Sequence, residues 1–257
     1  MIHPTAIVDP KAEIDERVEI GPYSVIEKGV SIDEGTRIGS HVVIREWTQI
    51  GKRCHIYQFC SIGEAPQALA YRGEPTLLQI GDHNIIREFV TLHRGSVKGG
   101  GKTVLGNENF IMAYSHIAHD CRIGNQVVMA NGATLGGHIL IEDYAIIGGL
   151  AAIHQFCRVG THAIISGLTG VSQDVPPYMM AAGDRAKLYG LNSVGLKRHQ
   201  FSEQEIKALK KAYRIIFRSG LTLEKAMKAV EEDAIFQIPK VQHLLQFIQH
   251  SKRGICR

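Results

Sequence analysis

From Ile2 to Ile62 every sixth residue is a β-branched aliphatic, and this period constrains the fold more than any other feature of the chain. The series reads Ile2, Val8, Ile14, Ile20, Ile26, Ile32, Ile38, Ile44, Ile50, Ile56 and Ile62 without exception. Four residues after each of these the side chain is small nearly every time, as at Ala6, Ala12, Ser24, Thr36, Thr48, Cys54 and Cys60. The phase breaks over residues 63–79, returns at Ile80, Ile86 and Leu92, and slips by one across Gly99, Gly100 and Gly101. It then runs unbroken from Leu105 through Ile117, Leu135 and Ile153 to Val171.

A period of six matches neither an amphipathic helix nor a simple alternating strand. It fits very short strands joined by corners, each strand sending one large aliphatic inward and each tight turn taking a small residue. Stacked coils then pair their backbones along the axis at about 4.8 Å. The pattern is that of a parallel β-helix, and it resembles the hexapeptide-repeat acyltransferases. That resemblance implies a left-handed helix with three hexads per coil, against the general preference for right-handed crossovers. Four of the five cysteines, Cys54, Cys60, Cys121 and Cys157, occupy the small position, with Cys256 in the tail and no Cys-X-X-Cys motif. They read as structural thiols in a reducing compartment.

The repeat ends at Val175-Pro176-Pro177, and prolines break strand pairing. Residues 1–177 are therefore expected to form the β-helix, 178–192 a connecting loop or last irregular coil, and 193–257 a helical domain. Ser202-Glu203-Gln204-Glu205 is a capping box opening a helix that buries Ile206, Leu209, Tyr213 and Ile216 and stops near Gly220. A second helix should start at Thr222 and a third after Pro239, with Val241, Leu244, Leu245 and Ile248 inward.

Net charge is +4, unevenly spread: residues 193–257 hold 13 Lys/Arg against 6 Asp/Glu. A basic tail on a slightly acidic body suits an acidic partner docking there, or simply solvated helix faces. The start, Met1 to Pro10, has no basic and then apolar signal pattern, and no stretch reaches the roughly 18 apolar residues of a membrane helix. The expectation is a cytoplasmic protein with no stable membrane insertion and no nucleic-acid partner.

His116, His119, His138 and His154 form the informative group among 13 histidines. The hexads starting at Ile117, Leu135 and Ile153 are spaced by one full coil, so they share a face. His119 is third in its hexad, His138 fourth and His154 second, so all should project outward as a ladder with steps of about 5 Å. Three readings stay open: plain surface histidines, a three-histidine zinc site, or a general base. A base is favoured because Asp120 follows His119 as an orienting carboxylate, and Gly137 lies one coil away as a close-approach backbone donor.

Specific strings narrow the likeness. His116-Ile-Ala-His119-Asp120-Cys121, Ala145-Ile-Ile-Gly-Gly149, His154-Gln155-Phe156-Cys157 and Gln173-Asp174-Val-Pro-Pro-Tyr178 resemble the UDP-N-acetylglucosamine O-acyltransferase family. So do Ile56-Tyr-Gln-Phe59, Arg72-Gly-Glu-Pro75, Thr91-Leu-His-Arg94 and Gly195-Leu-Lys-Arg198, so the likeness covers essentially the whole chain. It implies a homotrimer with sites between subunits, no cofactor, and transfer of a 3-hydroxyacyl group from acyl carrier protein to the 3-position of a UDP-sugar, which begins lipid A synthesis. By the same matching His119 is the base and Gly137 the oxyanion donor, with the acidic carrier protein meeting the basic tail. Gln67, His116, His138, His154, Gln155, Asn192, Arg198 and His199 fall on substrate-binding positions. Gly167 and Arg185 fall on positions that set acyl-chain length, with Gly167 leaving room for a long chain.

The family's loop commonly reads Gln-Asp-Leu-Lys-Tyr, where this chain has Gln67-Ala68-Leu69-Ala70-Tyr71, and Val194 stands where an acid is common. This leaves open an acceptor with a 3-amine in place of the 3-hydroxyl. An acetyl-CoA-dependent sugar acetyltransferase and a non-catalytic β-helix are the remaining alternatives.

Overall fold

Strands of mostly two residues, such as Glu19–Ile20, Val25–Ile26 and Ser31–Ile32, follow one another around a triangular prism. In this computed structural model, which describes residues 1–257, they stack into three parallel sheets of nine, eight and ten strands. Each strand pairs with the one a coil further on, as Ile26 with Ile44 and Ile38 with Ile56. The result is a left-handed parallel β-helix, with the hexad aliphatics Ile26, Ile44, Ile62, Ile117 and Leu135 sealed inside.

The corners explain the period. The residue three places after the core aliphatic adopts positive φ in coil after coil, at Tyr23, His41, Phe59, Phe89 and Tyr114 among others. Non-glycine residues pay roughly 1 kcal/mol or more for that conformation. Stacking offsets part of the cost: the same five rings form a column with centroids 4.8 to 5.2 Å apart. The next residue turns inward, where the side chain is Ala, Val, Ser, Thr, Cys or a hydrogen-bonded Asn in all but one of the buried cases within the repeat, Ile139 being the exception. Asn84 is such a case, its amide donating to Gly81 and Gly106 carbonyls.

Both breaks in the repeat leave the nine-stranded sheet at the same corner. Ser61–Glu64 and Leu77–Ile80 belong to consecutive sides of the prism, so residues 65–76 are a loop between them. Thr91–His93 and Lys102–Leu105 are likewise consecutive, joined by a short strap over residues 94–101 with a 3₁₀ turn at Val97–Gly99.

The segment after the prolines is more ordered than a connecting loop. Met179–Ala182 extends the ten-stranded sheet, and Lys187–Leu191 folds back antiparallel upon it. The hexad pattern has ended there, so no period announces these strands. A short helix, α1 (Ser193–Arg198), follows with Asn192 as its N-cap. Then come α2 (Glu203–Arg218), opened by the Ser202–Glu205 capping box, α3 (Leu223–Glu231) capped by Thr222, and α4 (Pro239–Gln249). The tail returns to the prism, where Cys256 N–H donates to the Asp174 carbonyl and Ser251 Oγ donates to Asp174 Oδ2.

Candidate active site

The nine-stranded face carries His116 beside buried Ile117, and the chain reaches its corner at His119 and Asp120. His119 Nδ1 lies 2.7 Å from Asp120 Oδ2. A proton held on Nδ1 by that carboxylate leaves Nε2 as the free base. The ring is mostly covered, with 14% of its side-chain surface exposed, while the Asp120 carboxylate is fully buried. Burial pushes the Asp120 pKa up, but hydrogen bonds from His119 and Ser96 outweigh it and leave the carboxyl below its ordinary value. Asp120 is thus the ionised member of the pair.

Gly137 provides the floor under the imidazole. A Cβ there would stand 2.7 Å from His119 Cε1 and 3.0 Å from Nε2. Only glycine lets the ring lie against this backbone. The Gly137 N–H donates to no carbonyl or side chain of the protein, so it is available to an oxyanion.

His138 sits one coil on, at the same corner position as Asp120, its ring 5.1 Å from that of His119 at right angles. Burial lowers the His138 pKa, opposed in part by Asp120. The expected third rung is different. Phe156, not His154, stacks on His138, with centroids 4.5 Å apart. Corner residues point alike, and Phe156 occupies the corner position while His154 lies two places earlier. His154 instead faces the C-terminal tail, its Nδ1 3.1 Å from Arg253 Nη2. Gln155 is exposed beside it.

His116 is held differently, its Nδ1 2.7 Å from Thr91 Oγ1, and its ring edge meets the buried His93 at 4.9 Å. Burial, then His119, lowers its pKa; burial and then His116 lower that of His93 to about 4. Gln67 is exposed on the 65–76 loop. Buried Arg94 clamps the base of that loop, donating to the Gly63 carbonyl at 2.7 Å and to Tyr71 Oη at 2.9 Å, with its guanidinium over Trp47. Ser96, Thr103 and Arg253 are not singled out by the sequence, and Thr91 and Arg94 enter only as the ends of a family string with no role attached. Only the glycine-rich interruption hinted that something is built over residues 94–101.

Four predicted residues lie elsewhere in the chain, with Gly167. Asn192 is buried, capping α1 through Gly195 N and donating to the His162 carbonyl. His199 packs against Tyr144 and His162, at the corner after the eight-stranded sheet, with exposed Arg198 beside it. Gly167 follows the ten-stranded sheet, where its missing Cβ faces the Gly149 carbonyl, and Arg185 is exposed next to the Gly170–Asp184 contact. A single copy brings together His119, Asp120, Gly137 and His138, with His116 close by.

His119, Asp120 and His138 also present one ligand atom each within 4.8 Å of one another. Asp120 Oδ2 already accepts from His119 and from Ser96 Oγ, and the third histidine, His154, stands apart. The arrangement suits proton transfer better than a three-histidine metal site. The cysteines are all buried, and burial pushes Cys60 and Cys121 up to about 12, far from nucleophilic reactivity at neutral pH.

A hexapeptide β-helix bearing an oriented histidine–aspartate pair at one corner defines a hexapeptide-repeat transferase. Residues 11–46 and 102–137 match the bacterial transferase hexapeptide model, and residues 174–256 match the second domain of UDP-N-acetylglucosamine O-acyltransferase. The acyl-[acyl-carrier-protein]–UDP-N-acetylglucosamine O-acyltransferase of Thermodesulfovibrio yellowstonii is 59% identical, covering 100% of this chain and 99% of the relative. That of Halorhodospira halophila is 56% identical with the same coverage. The crystal structure of UDP-N-acetylglucosamine O-acyltransferase from Moraxella catarrhalis superposes with a TM-score of 0.96 at 46% identity, covering 100% of this chain and 99% of that one. The chain belongs to the UDP-N-acetylglucosamine O-acyltransferase family.

Proposed function

We propose that this protein carries an acyl group from acyl carrier protein to the 3-position of UDP-N-acetylglucosamine, the first step of lipid A biosynthesis, with His119 as general base. The observation that carries the residue assignment is the His119 Nδ1–Asp120 Oδ2 bond of 2.7 Å beside the open Gly137 N–H. His119 Nε2 takes the proton of the sugar 3-hydroxyl as its oxygen attacks the thioester carbonyl. The tetrahedral oxyanion is held by the Gly137 N–H, an interaction worth about 3 kcal/mol where such donors have been removed. Collapse breaks the C–S bond, the ester forms, and the imidazolium returns its proton to the leaving thiolate. The chemistry needs no metal or organic cofactor, since the carrier protein delivers the acyl group as a thioester.

His116 and His138 border His119, and the acceptor and acyl chain are assigned to them together with the exposed Gln67, His154 and Gln155. Asn192, Arg198 and His199 lie too far around the prism to join them within one copy. The reading is therefore a homotrimer whose sites are completed between chains. A strip of outward apolar residues on the ten-stranded sheet supports this: Ile85, Phe110, Val128, Ile146 and Ile164, of which Ile85 is 42% and Ile146 37% exposed. Arg198, with its planar guanidinium fork, suits the nucleotide diphosphate. Gly167 and Arg185 border the far end of the acyl chain. No helix is long and apolar enough to cross a membrane; the enzyme is read as cytoplasmic, its basic helical domain facing the acidic carrier protein.

The test is product analysis by mass spectrometry with 3-hydroxyacyl carrier proteins of graded chain length, acetyl-CoA, and UDP-sugars bearing a 3-hydroxyl or a 3-amine. Acylation of the 3-hydroxyl sugar from carrier protein is expected, and loss of at least about 100-fold in His119→Ala. Use of acetyl-CoA, preference for the amine, or an active His119→Ala enzyme would each replace the corresponding part of this reading.

A further inference from the structure

Asp120 must keep one oxygen aimed at His119, yet its own corner does not supply the means. The means come from the strap between the nine- and eight-stranded sheets. Ser96 N–H donates to Asp120 Oδ1 at 2.8 Å, and Ser96 Oγ donates to Oδ2 at 2.6 Å, all of these atoms being buried. The Asp120 backbone N–H is held in turn by Thr103 Oγ1 at 2.7 Å. The strap is folded for this grip: the Ser96 carbonyl accepts from both Gly99 and Gly101 N–H, curling the turn so that Gly99 lies against the carboxylate. A Cβ on Gly99 would overlap the Asp120 carboxyl group.

We propose that Ser96 is a positioning residue of the transfer reaction, its hydroxyl and backbone N–H together clamping Asp120 so that Oδ2 is shared between Ser96 and His119. This rests on the assignment of His119 as base. Sharing has a direction. An oxygen that accepts a strong bond from Ser96 is a weaker acceptor for an imidazolium than one that serves the ring alone. A serine hydroxyl at this place therefore acts on the basicity of a residue it does not touch.

In Ser96→Ala the backbone N–H and the close packing of Gly99 still hold the carboxylate, but Oδ2 faces only the two imidazoles, bonded to His119 at 2.7 Å and 3.7 Å from His138 Nε2. The imidazolium is then better stabilised, and the acid limb of the kcat/KM–pH profile moves to higher pH by about half a unit or more. On the acid side of the limb a shift of about half a unit to one unit lowers the rate about three- to tenfold, and the rate recovers toward the parent in alkaline buffer, with KM for the sugar nucleotide little changed. Ser96→Thr, which keeps the hydroxyl, restores the profile. A loss of equal size at every pH, or an unshifted acid limb, overturns the proposal. His119→Ala measured in parallel separates the two levels: a dead His119→Ala with an unshifted Ser96→Ala profile rejects only the role of Ser96. An active His119→Ala rejects both.

Discussion

Replacing Gly137 by alanine adds one methyl group to the floor beneath His119. Its Cβ would stand 2.7 Å from Cε1, 3.0 Å from Nε2 and 3.2 Å from Nδ1, so the whole ring edge meets it. Relief to an ordinary contact requires the imidazole to retreat by about 0.7 Å, and displacements of about 1 Å at a reacting group cost on the order of 100-fold in rate. Retreat also stretches the 2.7 Å bond to Asp120, since that carboxylate is buried and pinned by Ser96. The backbone itself does not object, because Gly137 is absent from the positions of positive φ. The expected variant therefore folds, melts within a few degrees of the parent, and loses about 100-fold in kcat with a modest change in KM. Release of the carrier-protein thiol, followed with a chromogenic thiol reagent under saturating sugar nucleotide, gives kcat directly. A Gly137→Ala enzyme within threefold of the parent kcat would refute the close seating of His119 on this glycine.

Two further predictions concern Arg94 beside the site and two buried histidines, one at the site and one at another corner. Arg94→Met removes charged hydrogen bonds to Gly63 and Tyr71 that fasten the loop carrying Gln67, bonds of a type worth about 1.5–3 kcal/mol each; KM for the sugar nucleotide should rise about tenfold, and limited proteolysis should cut within residues 65–76, whereas an unchanged KM would uncouple the loop from the acceptor. His93 and His162, whose pKa values burial depresses from 6.5 to about 4, stay neutral in the folded protein while the unfolded chain takes up their protons. Their contribution to stability is thus complete above pH 6.5 and declines as pH falls toward 4. Melting temperature should drop across that window, less steeply in His93→Phe, and a parallel pH dependence in that variant would show that His93 contributes nothing.

The hexad made the prism legible because every coil repeats the same demand: one aliphatic inward, one residue in left-handed conformation, one small residue behind it. Broken phase marks where the two excursions lie, but not their path, because the period counts residues and not hydrogen bonds. Ile62 to Ile80 spans eighteen residues, the length of a full coil, yet the chain advances by only one side of the prism, from the nine-stranded to the eight-stranded sheet. The histidine ladder failed at one rung for a related reason. Position within the hexad sets direction, and Phe156 shares the corner place of His138, which His154 does not. Coil spacing alone does not fix which side chains stack; corner position does, and at that position the third ring is a phenyl. The residues around Asp120 show the deeper limit. Ser96 is 24 residues from the carboxylate it holds, and Thr103 is 17 away, so neither is at coil spacing. A repeat can announce what is common to all coils, but a reaction centre is built where one coil departs from the rest. Here that departure is the strap of residues 94–101, and its glycines are conspicuous in sequence for two reasons: the Asp120 carboxyl leaves no room for a Cβ on Gly99, while Gly100 and Gly101 adopt left-handed φ of 96° and 74°.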